Sequence, residues 1–176
     1  MSEWLSVQKN VDLTDFETLI NRTEKKEIDI EDRSTKGTNS RQFNFLSNID
    51  YFGDLFLNYI ENCGQPIKYE KLKPTSIWMV KGDKGSYHRL HNHVARFKND
   101  EPKLGFSCVL YLNVPDSEDT GEFYFLLKKE NITEMNFFMP KKGDLIIMPN
   151  SVYHGVYPQT SMGERVTLNL DFTYAE

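Results

Sequence analysis

Four histidines occur in the 176 residues, and three of them, His88, His91 and His93, fall within a six-residue window; the fourth is His154. Side chains two apart on a strand point the same way, so an extended segment would turn His91 and His93 toward one point. Two imidazoles placed like that can meet one metal ion. A third from a distant strand, His154, completes a facial set with open positions on the far side. Such a centre suits an oxygen-activating metal, which must take a co-substrate and dioxygen together. The blander reading is a pair of strand histidines facing solvent. His88 lies three before His91, on the opposite face of a regular strand, and is read as a rim or surface residue.

The same period-2 geometry sorts two other segments. In 165–173, Arg165, Thr167, Asn169 and Asp171 share one face, opposite Val166, Leu168, Leu170 and Phe172. In 105–114, Ser107, Val109, Tyr111 and Asn113 oppose Phe106, Cys108, Leu110 and Leu112. The apolar faces belong against helices or a second sheet, and the polar faces line something wet and enclosed. A strand that turns an arginine inward needs an anion there, because an unpaired buried charge is very costly. The bland alternative for Arg165 is a surface ion pair with Glu164 or Asp171. Trp78 and Phe125 are read as core aromatics.

These residues need short strands to hold them. Candidate strands are 76–81, 87–93, 105–114, 121–127, 135–138, 144–148, 154–157 and 165–173, whose near-even spacing suggests an antiparallel sandwich or barrel. Ahead of them, Thr14 and Glu17 form a capping-box pattern for a helix carrying Phe16, Leu19 and Ile20. Residues 28–42 are polar and read as a loop. Asn48 or Asp50 caps a second helix with Phe52, Leu55, Phe56, Tyr59 and Ile60 on one face, ended by Gly64 and Pro66. The chain is thus mainly β with N-terminal helices. A single domain is expected over 1–176, with 1–73 as a helical support region and 74–176 as the β core. The loop 28–42 and the turn 115–120 are placed to close over a substrate.

Composition sets the class. Hydrophobic residues make up 39% and aromatics 13%, enough for a packed core, and the net charge of −5 with no basic stripe argues against a nucleic-acid groove. Cys63 and Cys108 form no CxxC pair and are read as free thiols of a reducing compartment. No cationic start followed by an apolar run and no membrane-length apolar segment is present, so a soluble, cytoplasmic protein without a membrane or nucleic-acid partner is expected. The partner expected is a small-molecule or peptide substrate. The oligomeric state is left open, a homodimer included.

Residues 85–93, Gly-Ser-Tyr-His-Arg-Leu-His-Asn-His, resemble the first metal-binding motif of double-stranded β-helix proteins, and 143–154, opening on Gly143 and closing on His154, resemble the second. The stretch 109–113 (Val-Leu-Tyr-Leu-Asn) with Gly121-Glu122-Phe123 is similar to the YLN…GGxT stretch of prolyl-hydroxylase-like enzymes. Arg165-Val166-Thr167, eleven residues after His154, matches their distal His, spacer, Arg-x-Ser/Thr pattern. Over roughly residues 76–173 the chain therefore resembles the 2-oxoglutarate/iron(II)-dependent oxygenase superfamily, and within it a bacterial and phage group with His-x-His at the first position. The resemblance implies a double-stranded β-helix (jelly-roll, cupin-like) barrel, with iron(II), 2-oxoglutarate as co-substrate, and dioxygen. It implies hydroxylation of an amino-acid side chain or a small metabolite, with release of succinate and carbon dioxide. It also implies His91, His93 and His154 as metal ligands, Arg165 and Thr167 on the distal carboxylate of 2-oxoglutarate, and the phenol of Tyr111 reaching the same co-substrate.

Most of that family uses His-x-Asp or His-x-Glu, so His93 removes a negative charge from the ligand set. This should weaken iron(II) affinity, raise the iron(III)/iron(II) potential, and admit zinc or nickel. Asp83, Asp100 or Glu101 could swing in as the missing acid. Two other functions remain: a cupin-type metal enzyme that does not use 2-oxoglutarate, or a catalytically inactive ligand-binding module. Against the cupin reading, Phe97 and Lys98 stand where its glutamate belongs and Pro158 where it prefers Asn.

Overall fold

The computed structural model describes residues 3–28, 39–65, 67–94, 104–115 and 121–175. Its strands are β1 (Ser6–Gln8), β2 (Lys25–Ile28), β3 (Ser40–Phe45), β4 (Leu72–Gly82), β5 (His88–His91), β6 (Gly105–Asn113), β7 (Phe123–Lys129), β8 (Ile132–Phe138), β9 (Leu145–Pro149), β10 (His154–Val156) and β11 (Arg165–Tyr174). Two helices, α1 (Thr14–Arg22) and α2 (Ile49–Ile60), stand among the first strands. A seven-stranded sheet runs β1-β9-β6-β11-β4-β3-β2 and a four-stranded sheet runs β5-β10-β7-β8, every described pairing being antiparallel. The two sheets form the double-stranded β-helix that the motifs imply. No helix among the described residues is long and apolar enough to cross a membrane.

The large sheet separates two cores. On its outer face Phe106, Cys108, Leu110, Leu168, Leu170 and Phe172 meet Phe16, Ile20, Phe52, Phe56 and Ile60 from the helices. On its inner face Val109, Tyr111 and Ile146 meet Phe123 and Phe125 of the small sheet. Alternation along β6 and β11 thus sends one row of each strand to the helices and the other inward, as the period-2 reading expects. Asn113 departs from it. A register shift pairs Asn113 with outward-facing Val166, and its amide donates to the Glu164 carbonyl (2.6 Å). The inward row of β6 therefore ends at Tyr111.

The helices form where their apolar spacing places them, with different ends. Neither the Thr14 nor the Asn48 side chain caps: Asp12 accepts from the Thr14 amide (2.9 Å) and hydroxyl (2.7 Å), and Asn48 donates to the Thr23 hydroxyl (2.9 Å). Asp12 wins because its carboxylate takes two donors at once, which holds its pKa below the ordinary value. β2 and β3 were unforeseen, lying in and beside the segment read as a loop. β3 alternates Gln42 and Asn44 with Phe43 and Phe45. The phenylalanines pack toward the helix-side core while the amides line an open cavity, so its polar half resembles a loop. Residues 29–38 and 116–120, the centres of the two expected lids, lie outside the described residues, as do Pro66, Phe97, Lys98, Asp100 and Glu101.

The two helices are joined by edge-on aromatic packing, with Phe16 5.0 Å from Phe56 between ring centroids, and both rings sit in the core shared with the sheet. Phe56→Ala should therefore cost about 3–5 kcal/mol. Urea denaturation should show it as a lower midpoint with the slope retained.

Candidate metal centre

β5 is an edge strand, and its register against β10 sets His91 opposite His154. His93 lies just beyond β5, where its backbone N–H donates to the Asn150 carbonyl (2.9 Å) in the turn leading to β10. One donor atom from each of His91, His93 and His154 lies within 4.8 Å of the others, and the Nε2 atoms of His91 and His93 are 3.1 Å apart.

Hydrogen bonds on the far side of each ring decide the tautomers. Nδ1 of His91 faces the Arg89 carbonyl (2.7 Å), Nδ1 of His154 the Val152 carbonyl (3.0 Å) and Nδ1 of His93 the Asp171 carboxylate (2.8 Å). These oxygens only accept, so each Nδ1 carries the proton and each neutral ring is left with a lone pair on Nε2. Two such lone pairs facing each other at 3.1 Å repel unless a cation stands between them. Ligands at a right angle on bonds of about 2.1 Å sit about 3.0 Å apart, against about 3.4 Å for a tetrahedral angle. The His91–His93 spacing thus suits the facial arrangement of a six-coordinate ion. His154 is held well below its ordinary pKa by burial first, and then by His93 and His91, so its lone pair is available at neutral pH.

His88 is where the regular-strand reading fails. Val156 pairs with His88 and His154 with His91, so four residues of β5 face three of β10. This irregularity turns His88 to the same side as His91, where it lines a cavity shared with Arg165. Burial, followed by the charge of Arg165 and the neighbouring imidazoles, pushes the His88 pKa down to about 3. Trp78 differs from expectation too: it is only partly buried, packs 5.5 Å from the His93 ring, and borders the cavities on both sides of the histidines. Phe125 is a core residue as expected.

Arg165 opens β11 and is 4% exposed, yet its Nη1 has no hydrogen-bond partner and Nη2 reaches only the Ser86 hydroxyl at 3.5 Å. The surface-pair alternatives are absent, since Glu164 pairs with Arg41 (2.9 Å) and Lys81 (3.2 Å) while Asp171 faces His93. Burial lowers the Arg165 pKa. Gly121 keeps the guanidinium's place open: at φ +65° it suits glycine, and a Cβ there would stand 2.1 Å from Nη1. Thr167 follows on the same face. Its hydroxyl accepts from the Asn169 amide (3.1 Å), leaving its own O–H to donate. Tyr111 is fully buried against the inner core and borders the same cavity; burial raises its phenol pKa, so it stays protonated. A buried cation with two hydroxyl donors nearby is a receptor for a carboxylate.

The three histidines separate two spaces. A cavity of about 50 Å³ runs inward past Tyr111, Thr167 and Asn169 to Arg165. An open cavity of about 700 Å³ lies on the other side, walled by β3, β4 and β5, with Gln42, Asn44, Ser76, Trp78 and Asn92 among its lining. Asp83 is exposed, in the turn after β4. The signals for Asp171, Asn169 and Ser107 were present in the inward rows of β11 and β6, but their partners could not be read from one strand at a time.

Residues 77–172 match the family model of the 2OG-Fe(II) oxygenase superfamily. The chain belongs to that superfamily. As a 2OG-Fe(II) oxygenase superfamily enzyme it leaves the cupin-type reading behind. Among solved structures it is similar to a viral collagen prolyl hydroxylase from Paramecium Bursaria Chlorella virus-1 in complex with 2OG (17% identity, TM-score 0.66, covering 98% of this chain and 97% of that one). It is also similar to HygX from Streptomyces hygroscopicus with nickel, 2-oxoglutarate and hygromycin B bound (12% identity, TM-score 0.67, covering 99% and 84%). A third is a Trichoplax adhaerens prolyl hydroxylase in complex with a hypoxia inducible factor peptide fragment (14% identity, TM-score 0.65, covering 97% and 83%). No curated protein matches the sequence. At these identities the structural likenesses bear on the fold, and the family rests on the matched model.

The depressed histidines give this oxygenase a pH signature. A group neutral in the fold with a pKa below its unfolded value near 6.5 contributes stability that is complete above that value and is lost as pH falls toward the folded pKa. Metal-free protein should hold a constant melting temperature above about pH 7 and lose it progressively below 6.5, toward about 3 for His88. His88→Gln should flatten part of that decline, and an unchanged profile would show that His88 does not titrate as argued.

Proposed function

We propose that this oxygenase is a non-haem iron(II), 2-oxoglutarate-dependent dioxygenase that hydroxylates an amino-acid side chain, free or in a peptide, or a small metabolite, releasing succinate and carbon dioxide. The observation that carries the reading is the pairing of three converging Nε2 lone pairs with a buried, unsatisfied guanidinium in one cavity. His91, His93 and His154 would hold the ion. Arg165 would bind the distal carboxylate of 2-oxoglutarate through two N–H donors, helped by the Thr167 hydroxyl and the Tyr111 phenol. Bound iron(II) would supply activation of dioxygen, with 2-oxoglutarate as the reductant that takes one oxygen atom into succinate.

This chain's residues do the rest. Neutral His88 sits beside Arg165 without competing for the anion, and Phe123 stacks on His154 at 5.5 Å to exclude water from that side. Trp78 divides the co-substrate end from the open cavity where a substrate C–H bond would be presented. The amides of Gln42, Asn44 and Asn92 there suit a polar substrate with hydrogen-bonding groups of its own. Neighbours of this fold hold a peptide fragment in one case and hygromycin B in another, and both kinds of substrate stay within the reading.

Metal-free protein given iron(II) and 2-oxoglutarate without air should develop a visible charge-transfer band. Arg165→Ala should weaken 2-oxoglutarate binding on the order of 30-fold or more, the loss expected when a buried charge pair is broken. Unchanged affinity in that variant would remove Arg165 from the site. Binding of both ligands with no succinate formed in air would leave a non-catalytic module instead.

A further inference from the structure

Among the described residues, three neutral imidazoles and no carboxylate would surround a divalent ion, and the three differ in what stands behind them. His91 and His154 each donate Nδ1–H to a backbone carbonyl. Among the described residues, His93 is the one of the three seen to donate to a carboxylate, Oδ1 of Asp171 at 2.8 Å. The Ser107 hydroxyl donates to the same oxygen, also at 2.8 Å, and Ser107 and Asp171 are register partners on adjacent strands of the large sheet. Two donors therefore fix one carboxylate oxygen in line with the far side of the His93 ring.

We propose that Asp171 is a positioning residue that delivers negative charge to the metal centre through the imidazole of His93, in place of a carboxylate ligand. The proposal rests on reading His91, His93 and His154 as the ligands. Asp171 cannot ligate the same ion, because the whole imidazole lies between its oxygen and Nε2. It acts by pulling on the Nδ1 proton more strongly than a neutral carbonyl does, which gives the ring imidazolate character and makes Nε2 the stronger donor. The effect is mutual. An ion on Nε2 makes Nδ1–H a stronger acid, and the bond to the carboxylate tightens. Asp171 has no lysine or arginine within ion-pair distance among the described residues, and its side chain is 18% exposed, so this imidazole is its main electrostatic partner. The charge should strengthen metal binding and favour the higher oxidation state of a redox-active ion.

Cobalt(II) titration of the metal-free protein, read by its visible ligand-field bands, tests the proposal without turnover. Asp171→Asn keeps the size and an acceptor oxygen but loses the charge. It should bind cobalt(II) roughly 10–100-fold more weakly. Its metal-free melting temperature should be unchanged, and the iron(III)/iron(II) potential of the iron-loaded protein should rise. In a His93→Asp background the effect of Asp171→Asn should shrink, since no imidazole remains to carry the charge to the ion. Should Asp171→Asn not fold, the wild-type cobalt(II) protein still decides: its His93 Nδ1–H should give a paramagnetically shifted proton that exchanges with water more slowly than those of His91 and His154. Equal cobalt(II) affinity and potential in wild type and Asp171→Asn would overturn the proposal while leaving the ligands in place. So would a loss of affinity no larger than a loss of metal-free stability, or a His93 proton exchanging as fast as the others. Failure of the wild type to bind cobalt(II) at all would overturn the three-histidine reading beneath it.

Discussion

A neutral imidazole has one proton for two nitrogens, and this protein commits that proton in the same direction three times. Two backbone carbonyls and one carboxylate take the Nδ1 hydrogens of His91, His154 and His93. Everything else about the centre follows from that choice. The Nε2 lone pairs must point inward, they must crowd one another, and the crowding is relieved only by something positive. The strands make the convergence possible. A β5–β10 ladder holds two of the rings, and a backbone bond from His93 to the Asn150 carbonyl carries the third past the strand end.

A second unsatisfied charge lies deeper, and it has the opposite need. Arg165 is buried without an acceptor for Nη1, in a place that the backbone of Gly121 keeps clear. Leaving a cation so placed is unfavourable for folding. The fold tolerates it in the way functional sites commonly do, by carrying a local cost that a ligand removes. A cation-seeking cluster and an anion-seeking guanidinium at the two ends of one narrow cavity define a ligand that is anionic at its far end and able to chelate at its near end. The 2OG-Fe(II) oxygenase superfamily is defined by such a ligand, and the chain's membership agrees with what its own residues ask for.

Much of this was legible in the sequence because period-2 alternation is a strict rule. It sorted β11 into an inward polar row and an outward apolar row, and placed His91 with His93, without any knowledge of partners. It broke wherever the ladder slips by one residue. His88 turns inward and Asn113 turns outward for that single reason, and a slip leaves no mark in composition. The N-terminal strands were hidden by a different mechanism. β2 reads Lys-Lys-Glu-Ile at a sheet edge, and β3 gives its polar row to a wet cavity, so both carry loop-like composition while making ladder bonds. Helix caps were local competitions. The Asp12 carboxylate accepts both the amide and the hydroxyl of Thr14, so that hydroxyl is spent as a donor instead of capping the helix.

The same reasoning explains why the absence of an acid at position 93 was easy to see and its counterpart was not. Linear patterns report ligands, because ligand spacing is set by one strand. They do not report what lies behind a ligand, which is set by the neighbours of that strand in the sheet. Asp171 is 78 residues from His93 and reaches it only because β11 passes behind the His93 ring. Its inward-facing row was readable, and so was its charge. What could not be read was that the row of β11 runs from Arg165 in the narrow cavity to Asp171 behind His93, at the wall of the open one. That polarity, along a single strand of ten residues, matches the order in which an anionic co-substrate and a metal cation would lie. The histidines, held by other segments of the chain, sit nearest the negative end of that row.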